Sequence, residues 1–216
     1  MKDDLKDLAK QLGNPEGETG IEVANMMNAT NIGMTKHTIT SLNLDKNDIV
    51  LELGHGNCGH LPFLMNQAKN LKYFGLEISE LMQQEATKSN QNYIENNSAK
   101  FELYNGTEIP FDDAAFDKIF TVNTLYFWKN PDLLLNEIYR VLKPNGIFAL
   151  TFADKSFMDK LPFTPFGFNL YSLKDAEELL QKNQFKILNS ISQTEQVSSK
   201  TNEMVNRSFF TVLVKK

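Results

Sequence analysis

The chain has 216 residues, 41% of them apolar and 23% charged, which is a globular composition long enough for one domain with a cap. A net charge of −5 argues against a dedicated nucleic-acid binder, and one cysteine excludes an internal disulfide framework. The opening MKDDLKDLAKQLG lacks a signal-peptide core and no apolar run is long enough to span a bilayer, so a cytoplasmic protein without a membrane span is expected.

Residues 1–46 read as a polar helical cap without a strand. Within it Val23, Met26 and Met27 recur at helical spacing; Met26, Met27, Asn28, Asn31 and Thr35 are candidate cavity-wall residues and His37 a candidate substrate contact. Residues 47–216 read as an α/β domain, in which short apolar runs alternate with helical patterns. Strands are expected at Asp48–Leu53, Leu71–Glu77, Lys100–Tyr104, Phe116–Val122 and Gly146–Phe152, with helices at about 60–68, 79–96 and 131–141. Pro131 suits a helix start, and Lys143-Pro144-Asn145-Gly146 reads as a turn. Residues 155–171 carry Phe157, Phe163, Phe166, Phe168 and Tyr171 and form a possible lid. A helix at 172–182 precedes two strands, about 184–193 and 205–214, whose short polar join allows only antiparallel pairing.

The informative segment is VLELGHGNCGHL, a buried strand entering a glycine turn and then a helix. Gly54 and Gly56 permit a tight turn that a ligand can approach, and the following helix offers free amides. Gly54-x-Gly56-x-x-Gly59 with Glu77 at the end of the next strand also fits the dinucleotide fingerprint. Against that reading, Glu52 aims a carboxylate at the loop, which suits a cationic amine and repels a pyrophosphate, and no second mononucleotide half follows.

With YFGLEIS, NGTEIPFDDAAFDKIF and NPDLLLNEIYRVLKPNGIFAL in the same order and spacing, residues 48–152 resemble the class I S-adenosylmethionine-dependent methyltransferases, in particular the quinone-biosynthesis and small-molecule group. The resemblance implies a three-layer Rossmann-like sandwich whose seven-stranded, mostly parallel sheet has the order 3-2-1-4-5-7-6, the last strand antiparallel. It implies S-adenosylmethionine as cofactor, S-adenosylhomocysteine as product and a small-molecule acceptor. The turn at Gly54, His55 and Gly56 would hold the methionine part, with Glu52 near its amino group. Glu77 would accept the ribose hydroxyls and Ile78 would pack on the adenine. Asn105, standing where relatives usually have Asp, would meet the adenine amine, Gly106 and Thr107 would flank it with backbone donors, and Thr121, Val122 and Asn123 would border the sulfur. Cys58 departs from the pattern, standing where relatives have a third close glycine.

Tyr126 and Trp128, at the carboxyl edge of the fourth strand, and Phe166 are further candidate acceptor contacts. The histidines His37, His55 and His60 lack the spacing of a zinc set, so no metal is expected, and Cys58 is expected to pack on the sheet. No catalytic base is identifiable. An NAD-linked oxidoreductase and a non-catalytic binding protein remain alternatives, and a monomer and a homodimer are equally compatible with the sequence.

Overall fold

The computed structural model describes residues 2–198 and 204–216. Helices α1 (Lys2–Gly13) and α2 (Gly17–Ser41) precede β1 (Ile49–Leu53), α3 (Leu61–Met65) and β2 (Lys72–Glu77). Then come α4 (Glu80–Ser89), α5 (Gln91–Glu95), β3 (Ala99–Leu103), β4 (Phe116–Val122), α6 (Pro131–Val141) and β5 (Leu142–Ala153). The chain closes with α7 (Lys155–Met158), α8 (Leu173–Lys182), β6 (Lys186–Ser198) and β7 (Met204–Lys215).

The sheet order is β3-β2-β1-β4-β5-β7-β6, with β7 antiparallel to both neighbours and the other pairings parallel. Strand alternation divides the core in two. Leu51, Leu53, Ile119, Phe148 and Leu150 face α6 and α8, while Val50, Tyr73, Phe120 and Ala149 face α2, α3 and α4. A sheet buried on both faces has strands that read as continuous apolar runs.

Three expectations shift in detail. The helix expected over 79–96 breaks at Asn90, whose side chain donates to the Ala86 and Cys58 carbonyls. Asn90 thus ends one helix and caps the approach to the glycine loop. The Lys143–Gly146 turn is a bulge inside β5: Phe116 pairs with Leu142, Lys118 with Ile147, and Asn145 takes φ +65°. The two last strands are longer than expected, and part of their join, residues 199–203, lies outside the described residues.

The long helix α2 is fastened to the sheet by polar groups. Thr38 Oγ1 lies 2.7 Å from Thr151 Oγ1 on β5, which lies 2.8 Å from Thr211 Oγ1 on β7, all fully buried. Further along α2, Arg207 of β7 is ion-paired to Glu195 of β6 at 2.6 Å and donates to Asn31 Oδ1 at 2.8 Å and to the Thr30 carbonyl at 2.6 Å. These contacts hold the cap over the carboxyl ends of β1 and β4.

Candidate functional site

The first turn after β1 is built by glycine. Gly54 has φ +73° and Gly56 φ +57°, a region that L side chains enter at a cost. A Cβ on Gly54 would stand 2.5 Å from Thr124 Cγ2, whereas one on Gly56 would meet nothing within 4 Å. Gly54 is therefore required by close packing, and Gly56 faces open space. The Gly56 amide donates to Glu77 Oε2 at 2.9 Å, and Glu77 Oε1 accepts from the amides of Ile78 (2.8 Å) and Ser79 (3.2 Å). Ser79 caps α4 by accepting the Met82 amide at 3.2 Å and donates its own proton to the Pro15 carbonyl at 2.6 Å. One strand end thus fixes the turn, a helix start and the cap.

His55 is buried, and burial holds its imidazole below the ordinary range. Its Nδ1 lies 2.7 Å from the Gly56 carbonyl, so that nitrogen carries the proton. Nε2 is buried and has no partner among the described residues. The ring stands edge-on to Phe101 at 5.0 Å and lies over Gly75, where a Cβ would come within 2.6 Å of it.

Beside the turn lies a buried polar cluster. Glu52 Oε2 accepts from Tyr73 Oη at 2.6 Å and from His60 Nε2 at 2.7 Å. Because the single Tyr73 proton goes to Glu52, the Cys58 thiol donates to Tyr73 Oη, 3.2 Å away. Burial pulls the His60 imidazole down, but the touching Glu52 carboxylate outweighs it and holds the group well above its ordinary value. Burial pushes the Cys58 thiol up. Cys58 itself sits at φ +50°.

Glu52 and His60 of this cluster open on a cavity of about 410 Å³ at the carboxyl ends of β1, β2 and β4, where open α/β sheets bind ligands. Its walls include Glu52, Gly54, His55, Gly56, Glu77, Ile78, Asn105, Gly106, Thr107, Val122 and Asn123 of the expected cofactor set. Of the expected acceptor contacts, Met27, Asn28, Asn31, Thr35 and Trp128 also line it. Asn105 Oδ1 accepts from the amides of Thr107 (2.9 Å) and Glu108 (2.8 Å), so this side chain shapes its own loop.

Five expected residues lie outside the cavity, Met26 of α2 among them. Thr121 is fully buried beneath it and donates to the Leu53 carbonyl at 2.7 Å. Tyr126 points into the core, where its hydroxyl accepts from the Ala153 amide at 2.6 Å. His37 faces the other side of α2, edge-on to Phe209 at 5.6 Å. Phe166 belongs to the aromatic segment after α7, which packs behind the wall: Phe168 meets Phe127 edge-on at 4.6 Å, and Phe127, not Phe166, lines the cavity.

Leu12 and Gly13 at the end of α1, with Asn14 and Pro15 in the turn to α2, complete the enclosure. No residue-type signal marks them in the sequence, because a polar helix end looks the same whether it faces solvent or a cavity. The Glu52–His60–Tyr73 cluster was equally hidden: its members lie on β1, before α3 and on β2, and only the parallel register of Glu52 with Gly75, two residues from Tyr73, brings them together.

Comparison with known proteins points the same way. Residues 51–150 match the family described as "Methyltransferase domain". The chain is similar to YrhH of Bacillus subtilis (strain 168), named as a methyltransferase, with 30% identity over 52% of this chain and 62% of that protein. It is also similar to the 27-O-demethylrifamycin SV methyltransferase of Amycolatopsis mediterranei (strain S699), with 28% identity over 54% of this chain and 43% of that protein. The matches thus span less than two thirds of these relatives. In fold it is similar to a chain of the complex between the Haloferax volcanii Trm112 methyltransferase activator and a methyltransferase, with a TM-score of 0.74 and 18% identity over 89% of this chain and 92% of that one.

Proposed function

Because residues 51–150 match a methyltransferase-domain family and the chain is similar to proteins named as methyltransferases, we propose that it is a class I S-adenosylmethionine-dependent methyltransferase, which transfers a methyl group from S-adenosylmethionine to a small-molecule acceptor and releases S-adenosylhomocysteine. The observation that carries this reading is the meeting of the Gly54–Gly56 turn, the Glu77 carboxylate and the α1–α2 cap at one cavity.

The residues present fit the cofactor. Gly56 offers a cradle that a side chain would fill, and exposed Ile78 presents an apolar face to the same space. A carboxylate has about four acceptor sites. Three on Glu77 hold amides, which fix its position and leave one for a ribose hydroxyl. Both contacts of Glu52 fall on Oε2, so an ammonium group would be taken by Oε1. Since the Asn105 oxygen is engaged in its turn, adenine would be read by the backbone of Gly106 and Thr107, with Ile78 against its ring.

When bound, S-adenosylmethionine would supply an activated methyl group, whose carbon an acceptor lone pair can take while the S–CH3 bond breaks and the neutral thioether leaves. The protein's own share is position and exclusion of water. Trp128 is fixed by donating its Nε1 proton to Thr124 Oγ1 at 3.1 Å, and Asn31 is fixed by Arg207, so the acceptor wall is preorganised. Glu52 Oε2 and His60 are engaged with each other and His55 is held through Nδ1, and the reading uses no fixed base. A cavity of about 410 Å³ closed by the cap suits a small acceptor, as does similarity to an enzyme named for a rifamycin.

The test is turnover. Incubation with radiolabelled S-adenosylmethionine and a panel of phenols, carboxylates, thiols and amines should yield labelled product and S-adenosylhomocysteine with at least one acceptor. Binding of S-adenosylhomocysteine without turnover on any of them would favour a non-catalytic binding protein.

A further inference from the structure

The Cys58–His60–Glu52 cluster has a donor set that hydrogen bonding alone does not require. A glycine at position 58 would hold φ +50° at little cost and would be smaller, whereas cysteine is strained there and places a sulfur 3.9 Å from His60 Nε2. The carboxylate of Glu52 stands 2.7 Å from the same nitrogen. One ligand atom from each of the three lies within 4.8 Å of the others, and all three residues are buried.

We infer that Cys58, His60 and Glu52 form a binding site for a zinc ion, entered from the cavity. Thiolate, imidazole and carboxylate together select a borderline-soft divalent ion over magnesium or calcium. Zinc bond lengths at tetrahedral angles place S and N about 3.6 Å apart and N and O about 3.4 Å apart. The thiol–imidazole gap therefore closes by a few tenths of an ångström. The imidazole–carboxylate contact opens by about 0.7 Å, which is the motion expected when the proton bridging it leaves. The balance is simple: Zn²⁺ enters, the thiol proton and the His60 Nε2 proton go to solvent, and Glu52 stays a carboxylate. Tyr73 keeps its phenolic proton and remains beside the site as a hydrogen-bond donor to Glu52. His60 and Glu52 line the cavity, so the ion has an entry path and a fourth position open to water.

The site has a consequence for the proposed methyltransferase, and this consequence rests on that reading. Zinc on Glu52 Oε2 would stand beside the cofactor ammonium assigned to Oε1, and the two positive charges repel, so zinc and S-adenosylhomocysteine compete.

The full chain, stripped with a chelator and dialysed, is titrated with Zn²⁺ against a chromophoric zinc indicator. One equivalent per chain is expected, with at least a tenfold loss of affinity in Cys58→Ser and in His60→Gln. Cobalt loading provides an independent readout: the native chain should show thiolate-to-cobalt charge-transfer absorption, which Cys58→Ser should lack. Should Cys58→Ser fail to fold, the cobalt spectrum of the native chain and the His60→Gln titration still decide. Absence of a stoichiometric ion, an uptake unchanged in both variants, or a cobalt spectrum without a thiolate band overturns the site. S-adenosylhomocysteine affinity should fall at least tenfold on zinc loading. An unchanged affinity overturns the competition and leaves the site, whereas a metal-free chain that does not bind S-adenosylhomocysteine counts against the function proposed above and not against the zinc site.

Discussion

The Glu77 carboxylate accepts the Gly56 amide at 2.9 Å, joining the end of β2 to the turn after β1 across 21 positions of sequence. That bond sets the loop before any ligand arrives. Replacing Glu77 with Ala removes both the bond and the proposed ribose contact. S-adenosylhomocysteine affinity should fall about tenfold or more, or at least ~1.5 kcal/mol, as measured by calorimetry. An unchanged dissociation constant would remove Glu77 from the site.

The two glycines of the turn should separate stability from binding. Gly54→Ala combines left-handed strain with a 2.5 Å clash against Thr124, so its melting temperature should drop by several degrees. Gly56→Ala carries the strain alone, about 1–2 kcal/mol, yet its methyl group points into open cavity. It should melt closer to the native protein and bind S-adenosylhomocysteine worst. Equal binding by Gly56→Ala and the native chain would show that the ligand lies elsewhere.

Much of this was legible in the sequence. The order of strands, the glycine turn and the helix starting at Pro131 follow from apolar runs, turn residues and the resemblance of residues 48–152. Asn105 illustrates the limit. Its residue type fits a ligand contact and a turn equally, and only the two amides on its oxygen show which geometry the side chain takes. Tyr126 illustrates another: an aromatic at a strand's carboxyl edge can face the cavity or the core, and here the Ala153 amide draws its hydroxyl inward. Contacts between distant elements, such as Arg207 with Asn31, leave no local trace at all.

The Arg207 contacts should matter for both stability and cap placement. Arg207→Met leaves Glu195 without its partner and frees Asn31 and the Thr30 carbonyl. Breaking a largely buried pair in this way should cost about 3 kcal/mol in urea unfolding. Protease cleavage within α2 should quicken in the same variant. Native-like resistance would mean that the threonine contacts suffice to hold the cap.

A pH effect is expected at Glu137. Its carboxylate is held below the ordinary range chiefly by hydrogen bonds from Arg140, and it also accepts the Ile109 amide at 3.0 Å. A depressed pKa adds stability above the unfolded carboxylate range, near pH ~4.3, and that stability is lost as pH falls through the lower folded value. Between pH 7 and pH 3, the native chain should therefore lose more of its urea midpoint than Glu137→Gln. Parallel losses would contradict the assignment.

The most direct test of the central claim is a calorimetric titration of the same metal-free protein with S-adenosylhomocysteine and, separately, with NADH. Saturable one-to-one binding of the sulfur nucleoside, with no heat from the dinucleotide, is the predicted result. Binding of NADH in a chain indifferent to S-adenosylhomocysteine would contradict it.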